Sequence, residues 1–218
     1  MSRSERNRSV AVLGLGKFGS SLAETVYSLG MDLMVVDRDP EKIREFASKS
    51  TIAVCADLEN EDEIQELDLK HMDMVAVCMG TSLAPSVMCV MEAKEQGVPF
   101  VMAKALSRQM GTILKKVGAD QVINPEAESA VRMARALASP TILDLFDVGE
   151  NLCMIEMVPD KNWIGKTLVE LDLRQKRGIN VVAMKEQGST WSYLDARSPI
   201  RDKSTLLVVL EKKLLDKL

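Results

Sequence analysis

The regular pattern of the chain begins with the apolar run Val10-Ala11-Val12-Leu13, which breaks into Gly14-Leu15-Gly16-Lys17-Phe18-Gly19 and then into a helical repeat. Few local patterns restrict a fold as tightly, because each glycine has its own steric task when this spacing joins a strand to a helix. Gly14 allows the tight turn, Gly16 lets backbone approach a pyrophosphate, and Gly19 lets the helix pack on the strand. The N–H groups opening the helix, together with the positive end of its dipole, favour an anion there. Glycine-rich turns are common, so the context decides. Residues 20–28 carry Leu22 and Val26 on one helical side, with Leu29 just beyond. The run Leu33-Met34-Val35-Val36-Asp37 then closes a second strand with an acid, about 20 residues beyond the loop, where a mononucleotide fold holds its ribose. The pattern points to an adenine-nucleotide site.

The alternation continues. Asp39-Pro40-Glu41-Lys42 opens a helix through Ile43 and Phe46, with proline in its first turn. Further strands are expected at residues 51–55, 74–78, 99–104 and 121–123, and helices at 59–67, 84–96 and 109–117, with Thr81 or Ser82 as cap of the second of these. Six strand-helix units argue for an α/β fold, a Rossmann-like doubly wound parallel sheet covered on both faces. Asn124-Pro125-Glu126 opens one more helix, with Asn124 as cap candidate. Ala127, Ala130, Ala134, Ala136 and Ala138 give it small sides, which suits either a subunit contact or simply a good helix former.

After Ser139-Pro140 the pattern changes. Strands are expected at residues 152–158, 179–185, 191–194 and 206–210, with one short helix at 169–174. These make a small α+β module of about 70 residues. The expected organisation is a nucleotide-binding domain over 1–139, a connection over 140–149 and the small domain over 150–218.

Composition removes several function classes. With 28 basic and 32 acidic residues among 218, and a net charge of -4, no overall basic surface speaks for nucleic acid. Arg3, Arg6 and Arg8 read as a solvated tail. The sequence has neither the roughly 18-residue apolar run of a spanning helix nor a signal-peptide core, so a cytoplasmic protein is expected. Cys55, Cys78, Cys89 and Cys153 have no CxxC spacing and read as buried free thiols. The single histidine, His71, offers little for a metal site or triad.

Asp37 can accept from both ribose hydroxyls, and its charge disfavours a 2'-phosphate even with Arg38 beside it. Lys17 can sit over phosphates, most usefully over the terminal phosphate of ATP or ADP; the competing reading is a solvent-facing lysine. Ligands of doubly wound sheets lie at the carboxyl ends of the strands. That adds Asp57, Leu58, Met79, Gly80, Thr81, Lys104 and Glu126 to the glycine-loop residues Gly14 to Gly19. Lys104 can reach phosphates, whereas Glu126 can hold a cation such as Mg2+ or merely complement its helix dipole. Hydride-transfer machinery is missing: Tyr27 and Tyr193 are followed four residues on by Met31 and Arg197, not lysine. Nucleotide sensing therefore ranks above an NAD-dependent oxidoreductase or redox sensor, and a DNA-binding redox repressor lacks a basic recognition helix.

Taken together, Val10 to Gly19, Val35-Val36-Asp37, Met102-Ala103-Lys104, Lys116 to Asp120 and Ile123-Asn124-Pro125-Glu126 resemble the RCK (regulator of conductance of potassium) family of KtrA/TrkA-type gating subunits. Gly165 to Arg174 and Gly178 to Ala183 resemble its C-terminal domain. The resemblance implies a non-enzymatic cytosolic subunit, dimers of which assemble into an octameric ring on a membrane-embedded, KtrB/TrkH-like potassium transporter. It implies that ATP favours the active ring and ADP the inactive one, with NAD/NADH as the alternative ligand and Asp37 on the ribose. The family's phosphate-sensing arginine is Lys17 here, which keeps the charge and loses the fork. Glu126 matches a glutamate implicated in cation binding. Leu168, Asp172, Leu173, Arg174, Asn180 and Pro199 fall where similar proteins bind cyclic di-AMP, while the family's Gly-Asp before the last strand is replaced by Lys203-Ser204.

Overall fold

A computed structural model describes residues 8–79 and 82–217. The chain divides into two compact units, residues 1–125 and 126–218.

In the first unit, strands β1 (Ser9–Leu13), β2 (Asp32–Asp37), β3 (Ile52–Cys55), β4 (Met74–Val77), β5 (Phe100–Lys104) and β6 (Gln121–Ile123) form one sheet in the order β3-β2-β1-β4-β5-β6. Every pairing is parallel. The order steps outward one way from β1 and then reverses to β4, so a crevice opens at the carboxyl ends of β1 and β4. The expected doubly wound sheet is therefore what the chain forms.

Helices α1 (Lys17–Ser28), α2 (Pro40–Phe46), α3 (Glu61–Gln65), α4 (Leu83–Glu95) and α5 (Arg108–Lys116) connect these strands. Alternation along β1 sends Val10 and Val12 into a cluster with Ala23, Val26 and Phe46 of α1 and α2. Ala11 and Leu13 point the other way, into a cluster with Ile64, Cys89, Val90 and Leu114 of α3, α4 and α5. A strand buried on both faces must be apolar throughout, which is why β1 shows no polar alternation. Helix α3 is shorter than expected because residues 57–60 are spent on a turn: Asn60 N–H bonds to the Asp57 carbonyl and the Asn60 side chain caps Asp62 N–H. Ser82 stands at the N-cap of α4 without a side-chain cap bond, and Thr81 lies outside the described residues.

Helix α6 (Pro125–Ala138) begins where the two units divide. The second unit has β7 (Ile142–Val148), β8 (Leu152–Met157), α7 (Leu168–Leu171), α8 (Leu173–Arg177), β9 (Asn180–Glu186), β10 (Ser192–Tyr193) and β11 (Ser204–Glu211). Its sheet runs β10-β9-β11-β8-β7 and is antiparallel at every pairing. Residues 142–148, expected within the connection, are a strand paired with β8 from Ile142 to Val148. The single helix expected over 169–174 is two short ones, because Asp172 takes the left-handed conformation (φ 48°) between them. Thr167 and Glu170 cap α7 reciprocally, each side chain bonding the other's backbone N–H. Cys78, Cys89 and Cys153 are buried free thiols; Cys55, expected buried, is exposed because β3 is an edge strand. Among the described residues no helix is long and apolar enough to cross a membrane.

Candidate nucleotide site

The turn after β1 is held by Gly14 N–H donating to the Val36 carbonyl (2.8 Å). Gly14 is left-handed at φ 96°, which favours glycine, and a Cβ there would also crowd Met79 Cγ at 3.1 Å. A Cβ on Gly19 would lie 1.9 Å from the Gly14 carbonyl oxygen, a distance no packing shift of a side chain relieves. Gly16, the N-cap of α1, is different: a Cβ there would meet nothing within 4 Å. The open space lies where N–H groups and the helix dipole converge, which fits a phosphate.

Asp37 ends β2 and is buried, 8% exposed. Its Oδ2 accepts from Leu15 N–H at 2.6 Å and its Oδ1 from Asp39 N–H at 2.9 Å. Lys42 Nζ stands 3.4 Å from Oδ2 and 3.5 Å from Oδ1. One carboxylate thus ties the middle of the glycine loop to the start of α2.

A cavity of about 240 Å3 opens here, lined by Gly14, Gly16, Asp37, Arg38, Lys42, Asp57, Leu58, Glu59, Cys78, Met79, Ser82 and Pro85. Arg38 and Glu59 pair across its mouth at 3.4 Å, and the Asp57 carboxylate accepts from Glu59 N–H. Burial pushes the Cys78 thiol up to about 12, with Lys104 opposing only partly, so this wall is a neutral thiol at pH 7.

The structure thus brings Gly14, Gly16, Asp37, Arg38, Asp57, Leu58 and Met79 to one cavity. Leu15, Phe18 and Gly19 are not among the lining residues: Leu15 N–H holds Asp37, Phe18 lies beside Lys104, and Gly19 packs against the Gly14 carbonyl. Lys17 is exposed on the first turn of α1 and makes no ion pair among the described residues. Lys104, at the end of β5, is buried with its Nζ 5.8 Å from the Phe18 ring centroid, which ties that lysine to the same helical turn. Gly80 and Thr81 lie outside the described residues. Lys42, Glu59, Cys78, Ser82 and Pro85 also line the cavity and are not among the site residues the sequence points to. Lys42 had a signal: a lysine one turn into a helix that starts beside Asp37.

The TrkA-N domain model matches residues 10–125, more than half of the chain. The chain is 35% identical to Ktr system potassium uptake protein C of Bacillus subtilis (strain 168) over 175 residues, 80% of this chain and 79% of that protein. The chain belongs to the TrkA-N family of Ktr potassium uptake proteins. Ktr system potassium uptake protein A of Bacillus subtilis is 28% identical over 95% of the chain and 94% of its own length, and that of Vibrio alginolyticus 32% over 82% and 81%. None of these three names is that of an enzyme. Among solved structures, the GsuK RCK domain superposes with a TM-score of 0.65 at 16% identity, covering 99% of this chain and 47% of that one. The GsuK channel bound to NAD superposes at 0.64 and 17% identity, covering 99% and 39%. The chain therefore spans less than half the length of the GsuK chains it matches, and that likeness concerns the fold.

The RCK-type residues of the second unit are distributed as follows. Glu126 is exposed near the start of α6. Among the described residues no three His, Cys, Asp or Glu side chains group as a metal set. Leu168 opens α7, and its neighbour Thr167 bridges to Pro199. Asp172 sits at the left-handed break, Arg174 is exposed on α8, and Asn180 begins β9 opposite Val209. Leu173 is 4% exposed and belongs to the hydrophobic core. Lys203 holds φ 56°, the left-handed conformation that glycine adopts freely.

Proposed function

We propose that the chain is the nucleotide-sensing regulatory subunit of a Ktr-type potassium uptake system, docked on a membrane-embedded transporter subunit at the inner face of the membrane. The observation that carries this reading is the joining of the glycine loop to Asp37 through Leu15 N–H, at the rim of one cavity, in a chain 35% identical to a Ktr potassium uptake protein.

In this reading Asp37 accepts the ribose hydroxyls, Leu58 and Met79 wall the base, and the N–H groups above Gly16 receive the phosphates. At about 240 Å3 the cavity is smaller than the roughly 300–1,000 Å3 of drug-sized ligand sites, enough for a nucleoside with its phosphates on the open rim. Lys17 and Lys104 respond to phosphate charge. ATP and ADP then differ in how strongly they draw on these cations, and a ligand that contacts two conformations unequally shifts their balance. Glu126 is the proposed cation-holding residue. Assembly is proposed as dimers forming an octameric ring, with the exposed small-sided face of α6 as a subunit contact. Leu168, Asp172, Leu173, Arg174, Asn180 and Pro199 are the proposed cyclic di-AMP residues; for Leu173, which is core, the contribution is through backbone.

NAD/NADH is the second reading, favoured by the doubly wound strand order and by the NAD named for the GsuK channel of the same fold. The test is co-purification of the full chain with its membrane subunit, followed by potassium flux in vesicles with ATP, ADP or NADH. Flux that depends on this chain and differs between ATP and ADP supports the proposal. Flux indifferent to the chain overturns it.

A further inference from the structure

A carboxylate offers about four acceptor positions, two on each oxygen. At Asp37 one position on Oδ2 is taken by Leu15 N–H at 2.6 Å and one on Oδ1 by Asp39 N–H at 2.9 Å. A ribose diol that binds this acid must therefore use the remaining position on each oxygen. Lys42 Nζ faces both of those oxygens, at 3.4 and 3.5 Å. Its side chain is 39% exposed whereas that of Asp37 is 10% exposed, so the ammonium can swing to solvent while the carboxylate is fixed. The distances are long for hydrogen bonds, so the contact is an electrostatic one that a pair of hydroxyl donors can replace.

We infer that Lys42 is a specificity-determining residue that competes with the ribose 2'- and 3'-hydroxyls for Asp37, and so sets how strongly this site distinguishes a ribonucleotide from its dideoxy counterpart. This inference rests on the adenosine reading above. Removing the ammonium frees the two acceptor positions and leaves the Asp37 charge less compensated, which strengthens each hydroxyl bond. Lys42 also exerts a general pull on the phosphates. That pull acts equally on ATP and 2',3'-dideoxy-ATP and cancels in the ratio of their affinities.

The experiment is calorimetric titration of the full chain with ATP and 2',3'-dideoxy-ATP, for wild type, Lys42→Met, Lys42→Gln and Lys42→Arg. Wild type is expected to prefer ATP. Lys42→Met and Lys42→Gln are expected to widen that preference by about two- to five-fold, the range of a part-exposed ion pair, and Lys42→Arg to return it to the wild-type value. Having two neutral variants keeps the result readable if one fails to fold. A ratio unchanged or narrowed in the neutral variants overturns the inference and makes Lys42 a structural or direct ligand contact. If wild type binds both nucleotides equally, Asp37 does not read the ribose and the inference falls. If wild type binds neither, the adenosine reading itself fails.

Discussion

The two sheets of this protein bury their strands by different rules, and the rules decide how much of each can hold a ligand. In the first unit β1 is buried at every position and parallel neighbours flank it on both sides, so its carboxyl end can only feed a crevice. In the second unit β11 alternates buried and half-buried positions along its length, a sheet with one face on a core and one turned outward. The first pattern makes glycines and an acid at the strand ends into a site. The second makes a platform whose candidate ligand residues lie scattered over α7, α8, β9 and the segment at Pro199.

Glycine replacements test that contrast most strongly. Gly19→Ala forces a Cβ to 1.9 Å from a backbone carbonyl and is expected to cost about 3 kcal/mol or more, with loss of nucleotide binding. Gly188→Ala, at φ 79° with open space around it, is expected to cost only about 1–2 kcal/mol and to leave binding intact. Urea unfolding with nucleotide titration reads both; equal costs would erase the distinction between the units.

Asp37→Asn comes next. Its amide must present a donor to Leu15 N–H or to Asp39 N–H, so a stability loss of about 1–3 kcal/mol and at least about a tenfold loss of ATP affinity are expected. Binding lost with stability unchanged would mean that the acid does not hold the loop.

Much of the first unit is legible in the sequence because apolar runs, glycine spacing and Asp37 are local signals, and the parallel order follows from their alternation. Lys42 is harder to read: its place one turn into the helix after Asp37 is only a hint, and the fold is what turns its ammonium toward that acid. The second unit is less legible. Strand β7 is hard to read because Asp144 and Asp147 interrupt its apolar run; they lie on opposite faces of the strand, and ion pairs with Arg132 and Arg135 offset their charges. The break at Asp172 has no proline or glycine to announce it. Gly80 and Thr81 lie outside the described residues.

Smaller effects sharpen the comparison. In the first unit, burial alone would raise the Asp120 carboxyl, but hydrogen bonds from the Lys94 ammonium and Val101 N–H outweigh it and hold it below its ordinary value of 3.8. A depressed carboxyl contributes stability that is fully present above the unfolded value and lost as pH falls through the folded one. Acid unfolding below about pH 4 should therefore lose this contribution, no more than about 1 kcal/mol for a pair this exposed, and Asp120→Asn should flatten that part of the curve. In the second unit, Lys203→Gly relieves the left-handed lysine and is expected to stabilise by about 0.5 kcal/mol, the strain relief exceeding the added chain entropy. Destabilisation would show that the Lys203 side chain has a role there.

The most direct test of the central claim, that the glycine loop and Asp37 together hold an adenosine nucleotide, is a thermal-shift titration of the full chain with ATP, ADP and NADH. At 100 times its dissociation constant a nucleotide should add about 2.7 kcal/mol of stability, and Asp37→Ala should remove the shift. No shift with any of the three, or a shift that survives Asp37→Ala, would contradict the account.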